Sequence, residues 1–391
     1  MHFLFVKDNL AWPRVSGHDV HTYHMLRALA ELGHDISLTT RRERDAAALQ
    51  GLQLTSQHLW ESTQSHAPRL SGWQERFRSY WGVENEAIEA ISEQARDLGV
   101  DAVVAVGLEV LPLLAGVNGA TRIWYAADEW VWHHLSVIKL QQPSTWGHFR
   151  SAAIKGLYEY TFRTVVDRAW VVSEADRRAM RWIAGIKHVD VVPNGVDPDH
   201  FAPLDSAELP HSCVFWGRLD FEPNIQALEW FCQAVWPRVV AQVPDAQFHI
   251  LGFAPVPEVR RLADGQGVSL HENLPDLRAE IARCQVVVLP MQSGGGIKNK
   301  LLEAAAMARP VLCSQRACNG LNLGSGSALQ TARRPLQWAN ELVGLWQSPD
   351  RRRQLGDAAR RWVIEAHSWR TTAELAAKPL VARTPEPVGA S

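Results

Sequence analysis

The feature that most constrains this chain is a pattern written twice. Short apolar runs alternate with stretches of helical period, and the alternation restarts past the middle of the sequence. Runs of this length, apolar on successive residues, read as strands buried on both faces, and the helical stretches between them read as crossovers of a parallel sheet. In the first half the strands fall at His2–Val6, Ile36–Thr39, Asp101–Val106, Ile123–Ala126 and Arg168–Val172. Between the first two, Val20, Tyr23, Leu26 and Ala30 form one face of a helix that stops at Gly33. In the second half, strands at Ser212–Trp216, Gln247–Leu251, Val286–Pro290 and Val311–Ser314 alternate with helices at Ile225–Trp236, Asp276–Cys284 and Lys298–Ala308.

The join lies in the turn-rich stretch from Pro193-Asn194-Gly195-Val196-Asp197 through Pro203. The predicted fold is therefore α/β: two Rossmann-like domains facing each other across a cleft. Residues 1–195 form the first, 196–365 the second, 366–380 a closing helix that packs back toward the first, and 381–391 a disordered tail. A chain of 391 residues is long for one core, which agrees. Ligands of such sheets are expected beyond the carboxyl ends of the strands.

Composition excludes several classes. A net charge of −2 argues against a nucleic-acid binder. The odd set Cys213, Cys232, Cys284, Cys313 and Cys318, without CxxC spacing, reads as packed reduced thiols of a cytoplasmic protein and not as a disulfide framework or zinc site. The first apolar run is too short for a signal peptide, and Val100–Val117 contains Asp101, Glu109 and Pro112, unlike a membrane span. No G-x-G-x-x-G follows either first strand, which weighs against a dinucleotide-dependent oxidoreductase.

Two segments carry chemistry. In the first, a strand ends at Pro290; Ser293, Gly294, Gly295 and Gly296 follow, and a helix then opens with Ile297, Lys298, Asn299 and Lys300. Glycines let backbone approach a ligand, and free N–H groups at a helix start attract anions. Lys298 and Lys300 add full charges, and Glu303 is placed one turn on to accept from sugar hydroxyls. The alternative is a glycine-rich turn with solvated lysines. In the second segment a strand ends at Gly217, which puts Arg218 on its carboxyl edge, where a guanidinium fork suits a diphosphate. The alternative is an arginine paired with Asp220 or Glu222.

Together these residues resemble the retaining glycosyltransferases of family 4, which have the GT-B fold. Gly17 with Leu32-Gly33-His34 is similar to the family's N-terminal loop and helix; Val172-Ser173-Glu174 and Val191 to Asp197 with Phe201 resemble its hinge. Gly217-Arg218, Pro223-Asn224 and Trp230-Phe231 resemble a subgroup that assembles bacterial surface and exopolysaccharides, and Gly294 to Met307 with Pro310-Val311 resembles the donor helix. The resemblance implies a metal-independent transfer of sugar from a nucleotide-diphosphate donor, a co-substrate and not a cofactor, to a glycan or lipid-linked acceptor bound on the N-terminal side. It gives Arg218 the diphosphate, Glu303 the ribose, and Gly17, Asn224 and the 294–300 loop the rest of the donor; base contacts fall near Asn273 and Leu274.

Three positions depart from the family. Gly295 stands where a first loop glutamate is usual, Pro223 and Asn224 stand where a lysine often follows the arginine, and Arg309 replaces a glycine before Pro310. Lys298 or Lys300 is expected to restore the missing charge. On the acceptor side, Asp128 is expected to orient or deprotonate the acceptor, with Glu129 beside it and Glu174 facing the cleft; the alternative is that Asp128 caps a helix. Ser173 with Asp176 reads as a capping box. Trp73, Phe77, Tyr80 and Trp81, among Arg69, Arg76 and Arg78, suggest contact with the inner membrane face, or else packing under a loop. A nucleotide-sugar epimerase or a non-catalytic sugar-nucleotide binder on the same scaffold are the competing functions.

Overall fold

The computed structural model describes residues 1–12, 17–41, 46–60, 72, 74, 77, 85–127, 131, 135, 146–294, 297–321, 323 and 328–381. The chain divides into two compact units, one made of 1–194 with 369–391, the other of 195–368.

The first unit is built on a seven-stranded parallel sheet: β1 His2–Lys7, β2 Asp35–Thr40, β3 Ser56–Leu59, β4 Ala102–Val106, β5 Thr121–Ala127, β6 Arg168–Val171 and β7 Val189–Val191, in the order β3-β2-β1-β4-β5-β6-β7. The period of two along a strand sorts its side chains to opposite faces. Leu4, Val6, Val103 and Ala105 enter one core, whereas Phe3, Phe5, Ala102 and Val104 enter the other. The helix Gly17–Glu31 ends as expected before a left-handed Gly33, with φ +85°. Helix Trp369–Val381 lies against it, with the His24 ring stacked on Trp369 at 5.0 Å. Ser173 caps helix Glu174–Ala179, accepting from the Asp176 amide at 3.2 Å.

The second unit carries a six-stranded parallel sheet: β8 Leu209–Arg218, β9 Gln247–Phe253, β10 Val268–Glu272, β11 Cys284–Leu289, β12 Val311–Cys313 and β13 Gln330–Thr331, in the order β10-β9-β8-β11-β12-β13. Two predicted helices are corrected. Ile225–Trp236 is a helix only over Glu222–Trp230, after which the backbone widens through Phe231–Val235 and resumes at Trp236–Val240. Pro237 has no N–H to give the ladder, so the turn ahead of it opens. Asp276–Cys284 shortens to Arg278–Arg283, because Asp276 turns back to accept from the Arg278 amide at 2.9 Å and Cys284 already belongs to β11. The five cysteines are free thiols, four buried and Cys232 half-buried, and the Cys313 and Cys318 sulfurs lie 3.3 Å apart.

Of the aromatic cluster expected at a membrane, only Phe77 lies within the described residues. It is buried, edge-on to Tyr158 at 5.5 Å, so this ring packs inward, as a buried ring does when it has an aromatic partner. Among the described residues, no helix is long and apolar enough to cross a membrane.

Helix Pro349–His367 braces the helix Asn299–Ala306 from behind through Gly356. A Cβ at Gly356 would stand 2.1 Å from the Ala308 carbonyl oxygen, which is backbone and cannot turn aside. Overpacking of this kind typically costs about 1–3 kcal/mol. Gly356→Ala is therefore expected to destabilise the second unit by about that amount, read as a lowered midpoint in thermal unfolding; an unchanged midpoint would show that the two helices part without strain.

Candidate nucleotide-sugar site

In a parallel α/β sheet, a crevice opens where the chain reverses the direction in which it adds strands. In the second unit the chain leaves β8 to lay down β9 and β10 on one side, then returns to place β11 and β12 on the other. The reversal lies between the carboxyl ends of β8 and β11. Those ends carry Gly217-Arg218 and the loop that starts at Pro290.

Close backbone approach shapes this edge. Gly252 at the end of β9 sits so near β8 that a Cβ there would be 2.0 Å from the Gly217 carbonyl oxygen. The Asn273 amide donates to the Gly252 carbonyl at 2.8 Å, and Asn273 and Ala254 both adopt left-handed backbone, at φ +55° and +54°. Such a conformation costs an alanine roughly 1 kcal/mol and an asparagine less. Asn273, Gly252 and Gly217 thus follow one another across three strand ends, while Leu274 packs half-buried against the core.

Lys300 is drawn into this edge. Its Nζ donates to Asn224 Oδ1 at 2.8 Å and lies 4.0 Å from the centroid of the Phe215 ring. Asn224, buried, in turn donates from Nδ2 to the Arg218 carbonyl at 2.7 Å. Gly217, at φ +142°, leaves the room: a Cβ there would meet both Asn224 Nδ2 and Lys300 Nζ at 3.1 Å. Burial pulls the Lys300 ammonium down from its ordinary value to about 7, with Glu303 opposing the shift and Lys298 adding to it. Glu303, one turn along the same helix, accepts from the Trp216 indole N–H at 2.9 Å. Burial raises its carboxyl, while the Trp216 bond and Lys300 partly offset the rise.

The loop itself is tied down at Ser293, whose hydroxyl donates to Gln226 at 2.8 Å. Gly294 is left-handed at φ +95°, and a Cβ there would stand 3.3 Å from Lys298 Nζ and 3.4 Å from Pro223. Ile297 is buried, Lys298 is the residue preceding the helix and Asn299 its first. Gly295 and Gly296 lie outside the described residues.

Arg218 stands apart from this arrangement. Its exposed guanidinium forks onto Asp220, Nε to Oδ1 at 3.0 Å and the second nitrogen to Oδ2 at 2.8 Å. The pairing with Asp220 that the sequence left open is the one adopted. It raises the guanidinium's affinity for its proton and lowers the Asp220 carboxyl. An exposed pair of this kind is worth little, so a diphosphate could replace Asp220 at small cost.

In the first unit, Asp128 and Glu129 lie outside the described residues. Gly17 begins its helix, and Glu174 is exposed and paired with Arg177 at 2.7 Å. The strand order reverses here between β1 and β4, and a cavity of about 280 Å³ lies at that point. It is lined by Lys7, Asp8, His18, Asp19 and Glu109 among others. Lys7 Nζ donates to Asp19 at 2.8 Å and to the Asn9 carbonyl at 2.8 Å, and little of the pair is exposed. Sequence reasoning missed these residues, although Lys7 and Glu109 each stand within a few residues of a predicted strand end.

Both halves of the chain match known families. Residues 15–200 match the family model Glycosyltransferase Family 4, and residues 210–348 match Glycosyl transferases group 1. The fold is shared with sucrose-phosphate synthase of Thermosynechococcus elongatus, at a TM-score of 0.69 and 15% identity over 98% of this chain and 100% of that one. It is also shared with HepE of Anabaena in complex with UDP and glucose, at 0.63 and 11% over 97% and 99%. A third such structure is a mutant TarM of S. aureus in complex with fondaparinux, alpha-GlcNAc-glycerol and UDP, at 0.68 and 10% over 97% and 100%. A protein of the cps region in Klebsiella pneumoniae is 25% identical over 162 residues; the match takes in 39% of this chain and 42% of that protein's length. With a glycosyltransferase match in each half and two parallel sheets in the GT-B manner, the chain is a glycosyltransferase of the GT-B fold.

Proposed function

We propose that this enzyme moves a sugar from a nucleotide-diphosphate donor to a glycan or lipid-linked acceptor, with retention and without a metal, in the assembly of a cell-surface polysaccharide on the cytoplasmic side of the membrane. The observation that carries the reading is the convergence of Ser293, Gly294, Lys298, Lys300 and Glu303 on the strand reversal between β8 and β11, beside Arg218. Cations and the positive end of the helix there meet the negative charge that grows on a departing diphosphate. Glu303, held at one oxygen by Trp216, offers the other to the ribose hydroxyls.

The UDP in the HepE and TarM complexes supports a donor of that kind, and the fondaparinux and alpha-GlcNAc-glycerol in the TarM complex support a sugar-bearing acceptor. The cps-region relative supports the polysaccharide role. We place the acceptor hydroxyls in the 280 Å³ cavity of the first unit, where carboxylates and the Lys7–Asp19 pair suit hydroxyl groups.

Lys300 is the charge moved in from elsewhere. Pro223 and Asn224 stand where a lysine often follows the arginine in the family, and Asn224 receives the ammonium of Lys300 instead. Losing a preorganised charge of this kind costs on the order of 3 kcal/mol, or about a hundredfold in rate.

Arg218→Ala is expected to lower turnover by about a hundredfold or more while leaving the fold intact; near-normal turnover would place the diphosphate elsewhere. Ala at both Lys298 and Lys300 is expected to weaken donor binding in calorimetry, and unchanged affinity would remove the lysines from the site. Because burial pulls the Lys300 ammonium down to about 7, its unliganded form is expected to be largely neutral above that pH, and a diphosphate must restore its proton. Affinity for an intact nucleotide sugar, whose diphosphate does not itself titrate in this range, should be flat below pH 7. Above pH 7 it should fall by up to about tenfold per unit. Lys300→Met should abolish that slope, and a wild-type profile flat from pH 6 to 9 would contradict the assignment.

A further inference from the structure

Helix Gly147–Phe162 in the first unit is apolar on both sides. Its inner face buries Ala152, Tyr158 and Phe162. Its outer face, continued by Trp146, presents Trp146, Phe149, Leu157 and Tyr160, each 42–52% exposed. Steps of three, eight and three residues hold these four in one stripe, on the side where a surface helix normally carries polar groups. Trp182 is 88% exposed in the neighbouring turn Met180–Ala184, which packs on the same helix through Ile183 and Gly156. Single exposed apolar residues need no explanation, but four large ones in one stripe, with a fifth on the adjoining turn, do.

Among the described residues, the exposed charged side chains of this helix and of the turn Met180–Ala184 are basic. Arg150 adjoins the stripe, Arg181 and Lys187 flank Trp182, and all three are exposed. Arg163 closes its end, with the guanidinium carbon 3.6 Å from the centroid of the Tyr160 ring. The one acid of the helix, Glu159, is buried. A groove of about 1030 Å³ adjoins this end of the helix and is lined by Arg96, Arg163 and Lys187 among others. Its two carboxylates are already engaged: Asp101 accepts from the His2 amide at 2.8 Å, and Asp167 is forked by Arg122 at 2.7 and 3.0 Å.

We infer that this face docks the enzyme on an anionic lipid surface. Indole and phenol rings settle at the headgroup level of a bilayer, and arginines beside them meet lipid phosphates. The groove is wide enough and basic enough to receive a headgroup. The inference concerns the first unit alone and does not depend on the donor reading.

The test is co-sedimentation of the full chain with vesicles of phosphatidylglycerol and phosphatidylcholine in equal parts, against phosphatidylcholine alone. Binding is expected to the mixed vesicles at low salt, to weaken in high salt, and to be far smaller on phosphatidylcholine. Trp146→Ser with Trp182→Ser, and separately Arg150→Glu with Arg181→Glu, should each weaken partitioning about tenfold or more. Trp182 has almost no packing to lose, and an unchanged circular-dichroism spectrum and thermal unfolding midpoint would confirm that the variants are folded. No binding to the mixed vesicles, or binding indifferent to both double variants, would overturn the inference. So would a dimer seen by light scattering that the tryptophan variant abolishes while vesicle binding is absent, since the face would then pair with a second copy.

Discussion

In a sheet whose strands all run one way, every carboxyl end lies on one edge, and only at the reversal of strand order do the loops diverge and leave room. That constraint decides where chemistry is possible in both units. In the second, the reversal between β8 and β11 needs glycine at two neighbouring points, because Gly217 and Gly252 bring their backbones closer than any side chain would allow. The space gained on the Gly217 side is taken by the end of Lys300. In the first, the same reversal between β1 and β4 is where Lys7, Asp19 and Glu109 gather round a cavity.

At the carboxyl edge between β8 and β11, Asn224 links two elements: it accepts from the Lys300 ammonium and donates to the Arg218 carbonyl. Burial has an electrostatic cost for Lys300, seen in its depressed ammonium, and Glu303 on the same helix offsets part of it. Arg218 meanwhile remains at the surface on an exposed partner, free of any such burial. One cation at this edge is therefore held inside and the other at the surface.

Much of this was legible in the sequence, and what was not has a pattern. The nine predicted strands are the interior strands of the two sheets, where both faces are covered and apolar runs are unbroken. The four that went unseen, β3, β7, β10 and β13, are the four edges. β3 reads Ser56-Gln57-His58-Leu59, alternately half-buried and exposed, and β13 spans two residues, so neither carries an apolar signal. The turn at Gly294 and the helix that opens at Asn299 could be read because a left-handed backbone and a helix start favour particular residue types. The Lys7–Asp19 pair could not, since its two members are brought together only by the packing of helix Gly17–Glu31 beside β1, and neither stands in a spacing that signals a site.

The most direct measurement is a crystal structure of the enzyme with a bound nucleoside diphosphate. The account predicts the diphosphate at the carboxyl edge between β8 and β11, with its oxygens about 3 Å from Lys300 Nζ and the Arg218 guanidinium turned from Asp220 toward it. A diphosphate seated elsewhere, with Lys300 still engaged only by Asn224 and Arg218 still on Asp220, would contradict it.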